Sequence, residues 1–229
     1  MAIRQNCGRL DFDRDHCLLR RTGAVEAGVP ALNIVFDLGG VVFDWNPDKI
    51  LSAVFDNPAT RHRVETEIFK HADWVALDRG TLEFGDAVNR GAERTGLPQL
   101  EIERLLNAVP ASLTPFQDTI ELIRSIKDTD HRLFVLSNMQ FASIAYLEAT
   151  HDIWDLFDGI VISCRIQKVK PEPAIYEHLL SEHRLVANET VFIDDMNENV
   201  QAASRLGIGT ILFRNATQCR QDLASLGCL

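Results

Sequence analysis

A short apolar run, Leu32-Asn33-Ile34-Val35-Phe36, stops on the carboxylate of Asp37, and Leu38, the glycine pair Gly39-Gly40 and a second apolar run, Val41-Val42-Phe43, follow it. A run of that length, rich in β-branched and aromatic residues, predicts a buried strand that delivers an acid to its C-terminal end. From Trp45 to Thr114 nothing reads as a strand. Val64, Ile68 and Phe69, then Leu82, Phe84 and Val88, then Ile102, Leu105 and Leu106 recur at spacings of three and four, with glycines or prolines between the groups. These patterns predict a small helical insertion over residues 47–114. Thr114-Pro115-Phe116-Gln117 then carries a helix-start signature, with Thr114 as N-cap, Pro115 at the first helical position and Gln117 closing a capping box. Ile120, Leu122, Ile123 and Ile126 give that helix its buried stripe.

Beyond it, strands and helices alternate. Residues 133–136, 160–162, 191–193 and 210–213 read as strands, a polar loop covers 165–170, Pro173 opens a helix and 197–206 forms another. Such alternation implies right-handed crossovers and a parallel sheet covered on both faces. The expected fold is a doubly wound α/β core, over residues 31–46 and 115–229, with the helical insertion after its first strand. Residues 1–30 mix charges of both signs with Gly23 and Gly28 and show no sustained period, so a poorly structured extension is expected there.

The 229 residues, 46% of them hydrophobic, suffice for one full domain plus an insertion. No apolar run approaches the roughly 18 residues that a membrane span needs, and charges stand where a secretory signal would have its apolar region. A cytoplasmic protein with no membrane partner is expected. Cys7, Cys17, Cys164, Cys219 and Cys228 are odd in number, spread out and without a CxxC or Cys/His cluster, so they predict neither a disulfide framework nor a zinc site. A net charge of -10 argues against nucleic acid.

In an open α/β sheet, ligands bind at the carboxyl ends of the strands. Asp37, the Ser137-Asn138 pair and Asp194-Asp195 all fall at such ends, and Lys170 lies in a loop leaving another strand. An acid capping the next helix is the bland alternative for any one of them. As a set they suit displacement at phosphorus: a carboxylate nucleophile, a hydroxyl and an amide for phosphate oxygens, an ammonium to neutralise charge, and carboxylates for a hard divalent cation. Oxygen ligands favour Mg²⁺ over zinc.

Phe36-Asp37-Leu38-Gly39-Gly40-Val41, Leu136-Ser137-Asn138, Lys170-Pro171-Glu172-Pro173-Ala174-Ile175-Tyr176 and Phe192-Ile193-Asp194-Asp195 with Asn199 occur in the order of the four motifs of the haloacid dehalogenase-like (HAD) hydrolase superfamily. The chain resembles that superfamily over about residues 34–213, with the insertion where its small helical cap belongs. It is most similar to the branch holding sugar-phosphate phosphatases and the phosphatase domain of soluble epoxide hydrolase. The resemblance implies a Rossmann-like core and a two-step hydrolysis of a small phosphorylated substrate. Asp37 would form an aspartyl-phosphate, Ser137, Asn138 and Lys170 would hold the transferring group, and Mg²⁺ would sit among Asp37, the Gly39 carbonyl and Asp195, with Asp194 close behind. Adjacent strand-end residues point opposite ways, so one of Asp194 and Asp195 is expected to be a direct ligand.

One departure matters. Most phosphatases of the superfamily carry a second Asp two residues after the nucleophile as general acid and base, and here that position is Gly39. Asp44 is a candidate substitute, with a structural role in the turn competing. The gap also admits two rival readings: a metal-independent 2-haloacid dehalogenase, and a slow binding or scaffold protein. Against the dehalogenase stands Asp194-Asp195, because two acids beside Asp37 need a cation among them. In the insertion, Trp74, Asp78 and Arg79 precede Gly80, where the chain could bend back over the site, and are candidate specificity residues. His131, His151, His178 and His183 read as surface or capping residues. The expected assembly is a monomer or weak homodimer.

Overall fold

The computed structural model describes residues 10–12, 19–21 and 31–229. The expectation of a poorly structured extension over residues 1–30 falls mostly outside that set. Within it, β1 (Leu10–Phe12) and β2 (Leu19–Arg21) pair antiparallel.

Five parallel strands form the central sheet: β3 (Asn33–Phe36), β4 (Arg132–Ser137), β5 (Gly159–Ile162), β6 (Thr190–Asp194) and β7 (Gly209–Leu212). Their order is β5-β4-β3-β6-β7, so the first core strand lies in the middle and the chain winds outward on both sides of it. Side chains alternate across a strand, and this sorts the apolar residues into two layers. Ile34, Phe36, Leu133, Val135, Val191 and Ile193 face one way, against α6 (Gln117–Lys127), α7 (Phe141–Thr150) and α11 (Ala216–Ser225). Val35, Phe134, Leu136, Val161 and Phe192 face the other, against α9 (Pro173–Glu182) and α10 (Asn197–Arg205). Continuous apolar runs are what a sheet buried on both faces requires.

Between β3 and β4 lie α1 (Pro47–Val54), α2 (Pro58–Val64), a π-helical turn (Glu65–Phe69), α3 (Ala72–Arg79), α4 (Phe84–Thr95) and α5 (Gln99–Ser112). They enclose a core of their own, with Ile50, Leu51, Val64, Ile102 and Leu105 all nearly inaccessible. The two segments entering and leaving this insertion run side by side: Asp44 N donates to Thr114 O and Phe116 N to Val42 O, both at 2.8 Å.

That pairing corrects the helix start expected at Thr114. The helix begins at Gln117, its N-cap is Phe116 and no side chain caps it. A residue before proline is driven out of the helical region, and here Thr114 and Pro115 are extended against the first linker instead. The polar loop expected over 165–170 also opens on a short helical turn, α8 (Ser163–Ile166). His131 is not a surface residue. It is buried, and its Nδ1 accepts from Leu32 N at 3.1 Å, fixing the start of β3. His183 is half-buried, with its ring 5.1 Å from that of Phe134.

Gly80 closes α3 with φ +75, and a β-carbon there would lie 2.5 Å from the Cys164 carbonyl oxygen of α8. Only glycine fits this close approach of insertion to core. Gly80→Ala is expected to lower the unfolding free energy by about 1–3 kcal/mol, read from urea titration.

Candidate active site

Strand β3 brings Asp37 to the carboxyl end of the sheet, where Asp37 N donates to Ile193 O of the neighbouring β6 at 2.9 Å. That register sets Asp194 and Asp195 beside it. On the other flank, β4 ends at Ser137 with Asn138 next, and the segment after α8 carries Lys170 in.

Lys170 ties these pieces together. Its Nζ lies 2.8 Å from Asp37 Oδ2 and 2.7 Å from Asp194 Oδ2, and all three residues are almost fully buried. Its main chain is pinned too: Lys170 N donates to Asn138 Oδ1 at 2.8 Å and Asn138 Nδ2 donates to Lys170 O at 2.9 Å. Asp194 is turned inward. Beyond Lys170, it accepts from Met196 N at 2.7 Å and from Asn199 Nδ2, 3.0 Å from both its oxygens. Asn199 is steadied in turn by the buried Tyr176, whose hydroxyl donates to Asn199 O at 3.0 Å. Asp195 is partly exposed and faces the cavity.

Oxygens of Asp37, Asp194 and Asp195 lie within 4.8 Å of one another. Three carboxylates face one ammonium, so negative charge is left over. Burial raises the Asp37 pKa to about 7; Lys170 opposes that and Asp194 adds to it. Burial pulls the Lys170 ammonium down, but Asp194 and Asp37 outweigh it and hold its pKa above the usual value. The all-oxygen donor set has the chemistry for a hard divalent cation. Gly40 makes room for the Asp195 carboxylate: φ is +77, and a β-carbon would fall on that group. Asp37, Asp195 and the Gly39 carbonyl are the groups that could hold the ion.

Above the cluster opens a cavity of about 240 Å³, lined by Asp37, Gly39, Asn138, Lys170 and Asp195 at its polar end and by Trp45, Trp74, Val109, Leu113, Met139 and Met196 on its walls. Trp45 and Trp74 stack with centroids 5.4 Å apart, and Phe69 sets its edge against both. Of the three buried side-chain atoms without a hydrogen-bond partner among the described residues, two belong to the loop after β4 and its strand end. Gln140 Nε2 has no partner, and Ser137 Oγ makes no hydrogen bond of ordinary geometry, although it lies near enough to Asp37 to favour its charged form. Both groups can hydrogen-bond a ligand.

The remaining sequence candidates separate. Asp78 lines the cavity. Arg79 does not; it forks onto Glu172 at 2.9 and 2.6 Å, joining α3 to the loop after Lys170. Asp44 also lies off the cavity and pairs with Lys49 at 3.2 Å. Trp45, Met139, Gln140, Ser143 and Met196 were missed by sequence reasoning. Only adjacency signalled four of them, since Trp45 follows Asp44, Met139 and Gln140 follow Asn138, and Met196 follows Asp195; nothing signalled Ser143.

Removing the Lys170 charge leaves two buried carboxylates unpaired. Lys170→Met is expected to cost about 3–5 kcal/mol of stability in urea unfolding.

With this geometry, three comparisons with known proteins agree. Residues 90–213 match the family described as haloacid dehalogenase-like hydrolase. The sesquiterpene phosphatase astK of Aspergillus oryzae is 31% identical over 85% of this chain and 96% of its own length. A D-ribitol-5-phosphate phosphatase of Bacteroides thetaiotaomicron is 25% identical over 83% of this chain and 96% of its own. Among solved structures, a HAD family enzyme of Bacteroides thetaiotaomicron in complex with magnesium and inorganic phosphate shares the fold, with a TM-score of 0.64 at 20% identity, over 80% of this chain and 94% of that one. In the described residues no helix is long and apolar enough to cross a membrane. The chain belongs to the haloacid dehalogenase-like hydrolase family and is a hydrolase of its phosphatase branch.

Proposed function

We propose that this hydrolase is a Mg²⁺-dependent phosphatase that cleaves a small phosphomonoester through an aspartyl-phosphate on Asp37. The observation that carries the reading is the Asp37–Lys170–Asp194 triad with Asp195 beside it, open to a cavity. Asp37 Oδ1 accepts from Leu38 N at 2.7 Å and Oδ2 from Lys170, so the carboxylate is oriented by both its oxygens before substrate arrives. The Ser137 hydroxyl, lacking a good partner, and the Lys170 ammonium are the groups that would take phosphoryl oxygens, and Asn138 holds Lys170 in place. Bound by Asp37, Asp195 and the Gly39 carbonyl, Mg²⁺ would offset the negative charge of carboxylates and phosphate. A dehalogenase needs no such surplus of acids.

We further read residues 47–114 as the cap that sets specificity. Two substrate classes compete, a sugar phosphate and the phosphate of an apolar alcohol. The balance of the cavity walls favours the second: Trp45, Trp74, Val109, Leu113, Met139 and Met196 are apolar, against the polar wall residues Asp78, Gln140 and Ser143. The resemblance to a sesquiterpene phosphatase over nearly the whole chain supports the same choice. A cytoplasmic location and a monomeric or weakly dimeric state complete the reading, the buried thiols of Cys164 and Cys219 being consistent with a reducing compartment.

Phosphate release from farnesyl monophosphate, glucose 1-phosphate and p-nitrophenyl phosphate, with Mg²⁺ and with EDTA, tests this. Farnesyl monophosphate is expected to lead in kcat/KM, EDTA to abolish release, and Asp37→Asn to reduce it by at least about 10³-fold. Absence of phosphate from every ester would sink the phosphatase reading, and a preference for glucose 1-phosphate would sink the apolar one. Trp74→Ala is expected to raise KM for farnesyl monophosphate about tenfold or more through lost apolar contact, and to leave KM for p-nitrophenyl phosphate nearly unmoved.

A further inference from the structure

Breaking a phosphate ester of an ordinary alcohol expels an alkoxide, and a proton delivered to that oxygen is worth about 10²–10⁴-fold in rate. Gly39 has no side chain to deliver it. Three carboxyl groups line the cavity: Asp37, Asp195 and Asp78. The first is the nucleophile in the reading above and the second belongs to the cation cluster. Asp44 is engaged with Lys49 away from the cavity, and Lys170 is held between two carboxylates.

We propose that Asp78, carried in on the last turn of α3, protonates the leaving oxygen and then activates the water that hydrolyses the aspartyl-phosphate. The assignment rests on the aspartyl-phosphate reading. Its geometry is built, not incidental. Ser163 Oγ donates to Asp78 O at 2.5 Å and accepts from Met139 N at 2.9 Å, so the residue beyond the Ser137-Asn138 loop and the main chain of Asp78 share one hydroxyl. One residue further, Arg79 forks onto Glu172, and Gly80 abuts the Cys164 carbonyl. Helix α3 is thus fixed to the core at three successive residues, and Asp78 is the one whose side chain enters the cavity. Among the described residues its carboxyl makes no hydrogen bond or ion pair, so no structural contact explains an acid there.

Its protonation matches the role. Burial, followed by the negative charge of Asp37, raises the Asp78 pKa to about 8 against the opposing pull of Lys170. At neutral pH it therefore holds the proton that the first step needs. In that step an Asp37 oxygen bonds to phosphorus, the ester P–O bond breaks and the Asp78 proton moves to the departing oxygen, giving the alcohol. In the second, water attacks phosphorus, the P–O bond to Asp37 breaks, and the Asp78 carboxylate takes a water proton and is restored as inorganic phosphate forms. The sum is ester plus water giving alcohol plus phosphate.

The test is the leaving-group dependence of Asp78→Asn. Farnesyl monophosphate needs the proton; p-nitrophenyl phosphate expels a stable phenolate and does not. The variant is expected to lose about 10²–10³-fold in kcat/KM for farnesyl monophosphate and less than about threefold for p-nitrophenyl phosphate. Because its second step is slowed, it should also show a burst of p-nitrophenolate near one per enzyme before slow turnover. Removing an unpaired carboxyl should leave its unfolding midpoint at or above that of wild type. If Asp78→Asn proves unstable, Asp78→Ser reads the same ratio. Equal losses on both esters, or no loss on either, overturn the role of Asp78 while wild-type turnover keeps the phosphatase reading intact. Wild-type silence on both overturns the two together.

Discussion

A lysine ammonium with almost no solvent contact, set between two buried carboxylates, is the constraint on which the rest of this structure depends. Withdrawing an ion from water costs several kcal/mol even after relaxation, and only close pairing with further hydrogen bonds offsets it. Lys170, Asp37 and Asp194 meet that condition jointly, at 2.7 and 2.8 Å. None can move alone. This is why partners reach so far along the chain: Asn138 grips the Lys170 main chain from β4, Asn199 and Met196 N hold Asp194 from the start of α10, and Tyr176 of α9 braces Asn199 from beneath. Three strands and two helices are therefore locked in relative position by one charge.

The lock also divides the cavity. The unbalanced acids gather at the carboxyl ends of β3 and β6, and the insertion covers them with tryptophans, aliphatic residues and a single acid. A polar floor beneath apolar walls lets phosphate find charge at one end while the alcohol part leaves water at the other. Low dielectric above the floor strengthens every charge interaction within it, and the same burial raises the Asp78 pKa.

What the sequence discloses and what it hides follow from range. Continuous apolar runs such as Ile34-Val35-Phe36 and Val191-Phe192-Ile193 state both faces of a buried strand, and the residues that follow them state where the acids go, because each strand is local. The parallel alternation and the insertion are legible for the same reason, whereas the strand order is not. Thr114-Pro115 misled because capping chemistry was read locally, whereas a tertiary partner, the linker through Val42 and Asp44, decides the backbone. His131 misled likewise, since its partner, Leu32 N, is distant in sequence. Nor could spacing show that Asn138 spends its amide on Lys170, that Arg79 serves Glu172 and not a ligand, or that Trp45 and Gln140 reach the cavity. Each is fixed by a contact across the fold.

The same contrast of range bears on how the insertion is held. The Arg79–Glu172 pair is partly exposed, and the typical pair of that kind contributes about 0–1 kcal/mol. The paired linkers join the insertion to the core at one edge, through Asp44, Val42, Thr114 and Phe116. What fixes it beside the site is short-range: the Ser163 hydroxyl on Asp78 O and the contact of Gly80 with Cys164. Both contacts flank Asp78, so the place of that acid over the site depends on how the insertion packs on the core. A chain without a carboxyl at Gly39 has, in the reading above, its proton donor seated by the same short-range contacts that seat the insertion on the core.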